Sequence, residues 1–377
     1  MWLRLIKGLG PILEKRLLGY FGSPQEVYNA EKIDLINVDG IGQALAKNII
    51  SLRSLDKAYH ILEECQEKNI KLLTYDDPLY PTIAKDYNYA PSLLYYRGNI
   101  RPNSEGVAIV GSRRCSTYGK EISLNVGAFL AQNNIPVISG MAKGIDSYAH
   151  IACVKNGGYT IAFLGNGVDI CYPLEHRDLM EAIIGKGAVI SEYPPGTKSK
   201  PEYFPKRNGL ISSWSKKVLV VEASEKSGAL ITADFAKSQG KEVYVPPHEI
   251  NSNSGKGSNK LLLEGAKLYL EPSQLLFDKV SIRTPSNSIN SPRNPKESIS
   301  PLKSVSKEVK SIKTTLFTPL EERIIDTLKN KAMTIEEISI KANISQAELI
   351  ELLSVMELDG KVKAFAGGRY MASAPVT

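Results

Sequence analysis

Nowhere do the 377 residues sustain an apolar run near the ~18 that a membrane span needs. The opening stretch MWLRLIKGLGPILEK is broken by Arg4, Lys7, Glu14 and Lys15 and has no small-residue cleavage site, so a cytoplasmic protein without a membrane partner is expected. Cysteine is scarce. The four present, Cys65, Cys115, Cys153 and Cys171, show no C-x-x-C spacing, which argues against both a disulfide framework and a zinc site and leaves them as reduced, mostly buried thiols. Also missing are a G-x-x-x-x-G-K-[ST] loop, a Ser-His-Asp set and any cluster with metal-ligand spacing. An ATP-driven motor is disfavoured, and no catalytic residue, metal or cofactor is assigned.

Net positive charge is equally scarce outside one segment. Between Lys279 and Lys313 eight Lys/Arg face two Glu, so nearly all of the chain's net +7 is local and the remainder carries about +1. Nucleic acid would have to meet a shaped patch, because no general field is available. The same segment, rich in Ser, Pro, Asn and Lys, cannot bury enough apolar surface to offset the entropy of ordering. It reads as a linker, and the length suggests several domains. The expected division is 1–68 helical, 69–278 α/β, 279–314 linker and 315–374 a second small domain.

Between 107 and 245, β-branched strands alternate with amphipathic helices: VAIVG, a helix near Tyr118–Gln132, PVIS, a helix near Ile145–Asn156, TIAFLG, a helix near Leu174–Gly185, AVIS, KVLVVEA, a helix near Leu230–Gln239, and EVYVP. This order predicts a Rossmann-like α/β domain with a mainly parallel sheet covered on both faces. Three glycine-marked strand-to-helix turns stand out: VAIVGSRRCS, VISGMAKGIDSYAH and VLVVEASEKSGALITA. Each gathers backbone N–H groups and a helix dipole at one sheet edge, an arrangement suited to phosphate. Arg113 offers a planar fork for bidentate contact, and Arg114 or Lys120 adds charge. Lys143 sits between Gly140 and Gly144, where missing Cβ atoms would let a nucleotide approach. Lys206 and Arg207 lie on a Pro-rich excursion from Tyr193 to Asn208, expected to fold over the same edge. Asp146 is expected to hydrogen-bond at its helix start, and His150 to be a packed core histidine.

The flanks are weaker signals. Leu5–Gly22 and Leu35–Ile50 each place an apolar residue between two glycines, Gly8-Leu9-Gly10 and Gly40-Ile41-Gly42, before a helix, as in helix-hairpin-helix elements. Such turns can approach DNA phosphate or can be hairpins held by their own apolar face; both readings stand. After the linker, helices near Leu320–Lys329, from the box Thr334–Glu337, and from Ser345, followed by two strands turning at Gly367-Gly368, have the order of a winged helix. Gln346, Glu348, Glu351 and Glu357 on its third helix favour protein contact over groove reading.

The central block resembles the DprA/Smf family. The matching residues are Gly111-Ser112-Arg113, Ser139 to Asp146 with Ala149-His150, Thr160-Ile161-Ala162 leading to Gly165-Asn166-Gly167-Val168-Asp169 and Tyr172-Pro173, Ser191 to Gly196, Phe204 to Asn208, Val221-Glu222-Ala223, Ser227 to Ala233, and Leu262 to Ala266. The flanking helical and winged-helix arrangement is similar too. The resemblance implies an extended Rossmann domain that binds single-stranded DNA, loads RecA onto it in natural transformation and typically forms a homodimer. It implies a DNA-binding site at Gly111, Ser112, Arg113, Arg114, Gly140, Lys143, Gly144, Gly165, Asn166, Gly167, Lys206, Arg207, Asn208, Ser227, Gly228 and Thr232. Bases would be splayed outward or stacked on Tyr148, Tyr193, Tyr203 or Phe204. The chain departs from the family at Gly209, where a second arginine is common, and at His248, where a Pro-Gly turn is usual. The competing reading is a nucleotide-processing enzyme of phosphoribohydrolase type, against which the segment Ser227–Thr232 lacks two glycines and is followed by Asp234 where a glutamate is used.

Overall fold

A computed structural model describes residues 1–102, 105–277 and stretches of 319–372; the 279–314 linker lies outside them. Contacts divide the chain into Met1–Arg283 and Thr284–Thr377.

The first unit opens with a 3-10 turn (Trp2–Leu5) and five short helices: α1 (Pro11–Phe21), α2 (Pro24–Asn29), α3 (Lys32–Ile36), α4 (Gln43–Ser51) and α5 (Asp56–Glu67). In both Gly-apolar-Gly elements the second glycine is a helix N-cap, Gly10 for α1 and Gly42 for α4. The apolar residue between, Leu9 or Ile41, turns into a core with Leu17, Val27, Leu35, Ala46 and Ile49. These helices share packing with the sheet that follows: Arg4 pairs with Glu192, Ser92 Oγ donates to Glu14 at 2.5 Å, and Ile61 and Cys65 join the cluster of Leu93, Tyr95 and Val189.

The sheet is built from β1 (Lys71–Thr74), β2 (Leu93–Gly98), β3 (Gly106–Val110), β4 (Val137–Ser139), β5 (Thr160–Leu164), β6 (Ala188–Ser191), β7 (Ser215–Val220), β8 (Glu242–Val245) and β9 (Lys267–Leu268), in the order β1-β2-β6-β5-β4-β3-β7-β8-β9. From β6 to β9 along that order every pair is parallel, with Val107 opposite Val137 and Val110 opposite Val220. β1 and β2, which the alternating pattern does not announce, add an antiparallel edge. Between the strands run α6 (Thr82–Lys85), α7 (Thr117–Gln132), α8 (Ile145–Lys155), α9 (Arg177–Lys186), α10 (Tyr203–Ser213), α11 (Gly228–Ser238) and α12 (Lys256–Leu263).

Both faces of the central strands are buried, which is why they read as continuous apolar runs. On β3, Ala108 and Val110 join Ile138, Phe163, Val218 and Trp214 in one core, while Val107 and Ile109 join Val126, Ile145, Ala149 and Leu219 in the other. The Pro-rich excursion is more ordered than its composition suggests. Its last part is the first turn of α10, where Pro205 is tolerated because that turn's N–H groups have no intrahelical partners.

In the second unit, α13 (Pro319–Leu328), β10 (Met333–Thr334), α14 (Ile335–Ala342), β11 (Val362–Phe365) and β12 (Arg369–Ala372) form a helical layer on a three-stranded antiparallel sheet ordered β10-β12-β11. The box at Thr334 is made: Thr334 Oγ1 accepts from Glu337 N–H at 3.3 Å, and Glu337 accepts from Thr334 N–H at 2.9 Å. Of the third helix, Leu349, Leu353 and Met356 are described and buried with Ile324 and Ile338, and Gln346 and Glu357 are exposed. Glu348, Glu351 and Gly367 lie outside the described residues.

Candidate nucleic-acid interface

Strands β3 and β7 are neighbours, and the chain proceeds from β3 to β4 on one side but from β7 to β8 on the other, so the strand order reverses between them. The crevice beyond the carboxyl ends at such a switch point is the usual ligand position in an open α/β sheet. Here the loops after β3, β4 and β7, together with one side of α10, line a cavity of about 730 Å³.

The first loop is held from below by Glu222, fully buried at the end of β7. Its carboxylate accepts from Ser116 N–H at 3.0 Å and from the Ser116 hydroxyl, and its backbone oxygen accepts from Ser112 N–H at 2.7 Å. Ser116 in turn caps α7 through Gly119 N–H at 3.1 Å. A side chain at Gly111 would meet Ile145 at 2.6 Å, so the loop lies directly on α8. Thus fixed, it leaves Arg113 and Arg114 exposed at the rim.

The third loop ends at Ser227, whose hydroxyl accepts from Ala229 N–H at 3.3 Å and starts α11. Gly228 and Ala229 line the cavity, so the positive end of that helix faces it. His248, in place of a Pro-Gly turn, braces the strand behind: its Nε2 lies 2.8 Å from Val221 O, and its N–H donates to Asn259 at 3.1 Å.

The structure divides the sequence-expected site. Gly111, Ser112, Arg113, Arg114, Arg207, Asn208, Ser227, Gly228 and Thr232 all line the one cavity, but Arg207 does so as part of its floor. It is 5 % exposed, because the helical phase of α10 turns it inward, and its Nη1 donates to Gly140 O at 2.5 Å and Phe163 O at 2.8 Å. Burial pulls its pKa down to about 10 against the pull of buried Asp146, so it stays a cation at neutral pH. Burial likewise pushes the Asp146 carboxyl up, opposed by Arg207 and by the Gly140 N–H that Asp146 accepts at 3.0 Å.

Protein groups occupy the space beside the glycines of the second turn. The space at Gly140 is taken by the Arg207 guanidinium, and a Cβ at Gly144, which has φ +76°, would strike Ser112 O. Gly165 lies under the Phe204 ring, Gly167 against Asp169 and Pro194, and Asn166 is buried with its amide donating to Ile170 O at 2.6 Å. None of these five glycine and asparagine positions borders the cavity. Lys143 also stands outside it, paired with Glu175, and Lys206 points to the other side of α10. His150 is fully buried, as the sequence implied.

Two groups that sequence reasoning missed complete the rim: Lys200, ahead of α10, and Tyr172, 45 % exposed. The only sequence hint of the former is the Lys-Ser-Lys run before the aromatic pair Tyr203-Phe204. Of the expected stacking rings, Phe204 alone lines the cavity. The Arg113 guanidinium lies 5.4 Å from its centroid and Arg207 5.7 Å, with Tyr172 5.9 Å away. Tyr193 and Tyr203 instead stack on each other at 4.0 Å. A planar ring with one exposed and one buried cation, beside a helix start, can hold an anion next to a flat apolar group.

Among the described residues no group of three or more His, Cys, Asp or Glu could hold a metal, and no helix is long and apolar enough to cross a membrane. A family model described as DNA recombination-mediator protein A matches residues 71–279. Protein Smf of Synechocystis sp. is 38 % identical over 276 residues, 72 % of this chain and 69 % of its own length. DNA processing protein DprA of Streptococcus pneumoniae is 39 % identical over 203 residues, 54 % of this chain and 72 % of its own. The X-ray structure of the Streptococcus pneumoniae protein has a TM-score of 0.63 at 32 % identity, covering 72 % of this chain and 94 % of that one. With the sheet order, the switch-point cavity and these likenesses in agreement, the chain belongs to the DNA recombination-mediator protein A family, the DprA/Smf proteins.

Proposed function

We propose that this protein grips single-stranded DNA by its phosphates in the switch-point cavity and, without catalysing a reaction, delivers the strand to RecA in natural transformation. The carrying observation is that Arg113, Arg114 and Lys200 line one cavity with the start of α11 and with Phe204, whose ring Arg113 overlies. Cations neutralise phosphates of any sequence, and an aromatic face accepts any base, which together suit a strand with unpaired bases. The enzymatic alternative is disfavoured because Asp234 is exposed on α11 away from the cavity and Glu222 is occupied in holding the first loop. RecA delivery rests on the family relationship. Self-association through the sheet domain is supported by the edge: β9 is two residues long, and Leu263, Leu268 and Leu270 around it are 90 %, 45 % and 70 % exposed. A homodimer would align two cavities on one strand, and the molar mass in solution checks this.

The test is an affinity series by fluorescence anisotropy. Single strands are expected to bind more tightly than blunt duplex. Arg113→Ala should weaken binding to every sequence and reduce the log-affinity against log-salt slope by about 0.7, the share of one phosphate. Arg113→Lys should also bind less well, because an ammonium cannot reproduce the fork. An unchanged salt slope in Arg113→Ala would remove the cavity as the site.

A further inference from the structure

Helix α10 borders two cavities. Phe204, Arg207, Asn208 and Ile211, at helical spacing, line the first. Lys206 and Leu210 line a second, of about 320 Å³, on the helix's other side, and Pro205 borders both. The remaining wall of the second is largely aromatic: Tyr87, Tyr89 and Phe235, with Pro11 from the start of α1 and Glu192. Its size is at the lower end of the range for small-molecule pockets.

The rings form a supported platform. Tyr89 is 53 % exposed and lies 5.6 Å from Tyr87, which is buried and meets Phe235 edge-on at 5.9 Å. An exposed tyrosine backed by two further rings offers a flat apolar surface already fixed in place, so little ordering entropy is lost when something stacks on it. The charges fit an anionic chain. Lys206 is exposed and makes no ion pair among the described residues, whereas the charge of Glu192 is met by Arg4.

We propose that this second cavity receives a base of the same DNA strand whose phosphates occupy the first, with Tyr89 as the stacking surface and Lys206 on the adjoining phosphate. The inference rests on the reading of the first cavity as a single-strand site and extends the path of that strand across Pro205. It also gives the N-terminal helices a share in the site, through Pro11, that does not require their glycine turns to touch DNA.

The experiment is anisotropy with the full chain and oligo-dT of graded length, each length compared with wild type. Tyr89→Ala should weaken binding of the longer oligonucleotides about tenfold, within the range for one base stacked on an aromatic ring, while leaving the shortest binding length and the salt slope unchanged. Tyr89→Phe, which keeps the ring, should bind as wild type. Lys206→Ala should lower the salt slope by about 0.7, for the longer oligonucleotides alone. Tyr89→Trp supplies a direct signal, because Trp2 and Trp214 are both buried and the new indole should be quenched only by strands long enough to reach it. If Tyr89→Ala binds all lengths as wild type while Arg113→Ala binds weakly, the second cavity is overturned and the first stands. If Arg113→Ala also binds all lengths as wild type, both readings fall.

Discussion

The cavity has one residue whose size decides how much room a strand finds. A Cβ added at Gly228 meets nothing within 4 Å, its backbone is not left-handed, and the position lines the cavity at the first residue of α11. Gly228→Ala is therefore expected to leave folding and DNA affinity within about twofold of wild type. Gly228→Glu puts a carboxylate where phosphate is expected, and like charges brought together in an interface cost several kcal/mol, so binding should fall at least about tenfold. A melting temperature equal to wild type must accompany that loss, and equal affinity for the two variants would show that no anion sits there. Cations at strand ends were legible in the sequence, because Arg113 and Arg114 follow a glycine that ends an apolar strand. The orientation of Arg207 was not. Arg207 and Lys206 are adjacent, and only the phase of α10 sends one into the core and the other to solvent.

At the level of elements, α8 is clipped to the sheet by a histidine that must stay neutral. Thr160 donates its hydroxyl to Val137 O at 2.8 Å, so His150 Nδ1, 2.7 Å from Thr160 Oγ1, is the donor between them. Nε2 is buried without a partner. A second proton would sit there with no acceptor, close to the charges of His176 and Arg207, and burial above all pulls the pKa down to about 3. The sign follows: the unfolded chain takes up a proton below its ordinary value near 6.5, the folded chain only near 3, so stability falls as pH drops through that window. His150→Gln should flatten the dependence of unfolding free energy on pH between about 6 and 4 by roughly 1 kcal/mol per unit, read by denaturant titration. Equal slopes would mean that His150 protonates in the fold. The central strands were readable because burial on both faces makes them continuous apolar runs. The antiparallel β1 and β2 were not, since KLLT and LLYYRG lie outside the alternation of strands and helices that marks the rest.

For the whole molecule, the sequence pattern carried the class of fold and the place of the cavity, because a parallel sheet with right-handed connections has few ways to order its strands. It did not carry the packing of the N-terminal helices onto the sheet, which depends on pairs such as Arg4 with Glu192, 188 residues apart. Nor did it carry what stands opposite the one position where this chain departs from its family's second arginine. The Tyr87 hydroxyl occupies the space a side chain at Gly209 would need. Tyr87 follows α6 in the connection between β1 and β2, and Gly209 lies on the helix between the two cavities, so the departure at 209 is tied to an aromatic residue 122 positions earlier. The two sites are thus epistatic: Gly209→Arg alone should destabilise the fold, Gly209→Arg with Tyr87→Ala should recover part of that loss, and a double-mutant cycle of melting curves should return a coupling within the 0.5–3 kcal/mol range of residues in contact. Additive effects would break the tie. If it holds, a long side chain at 209 and the Tyr87 ring compete for one space, so the backing of the Tyr89 platform depends on the glycine at 209.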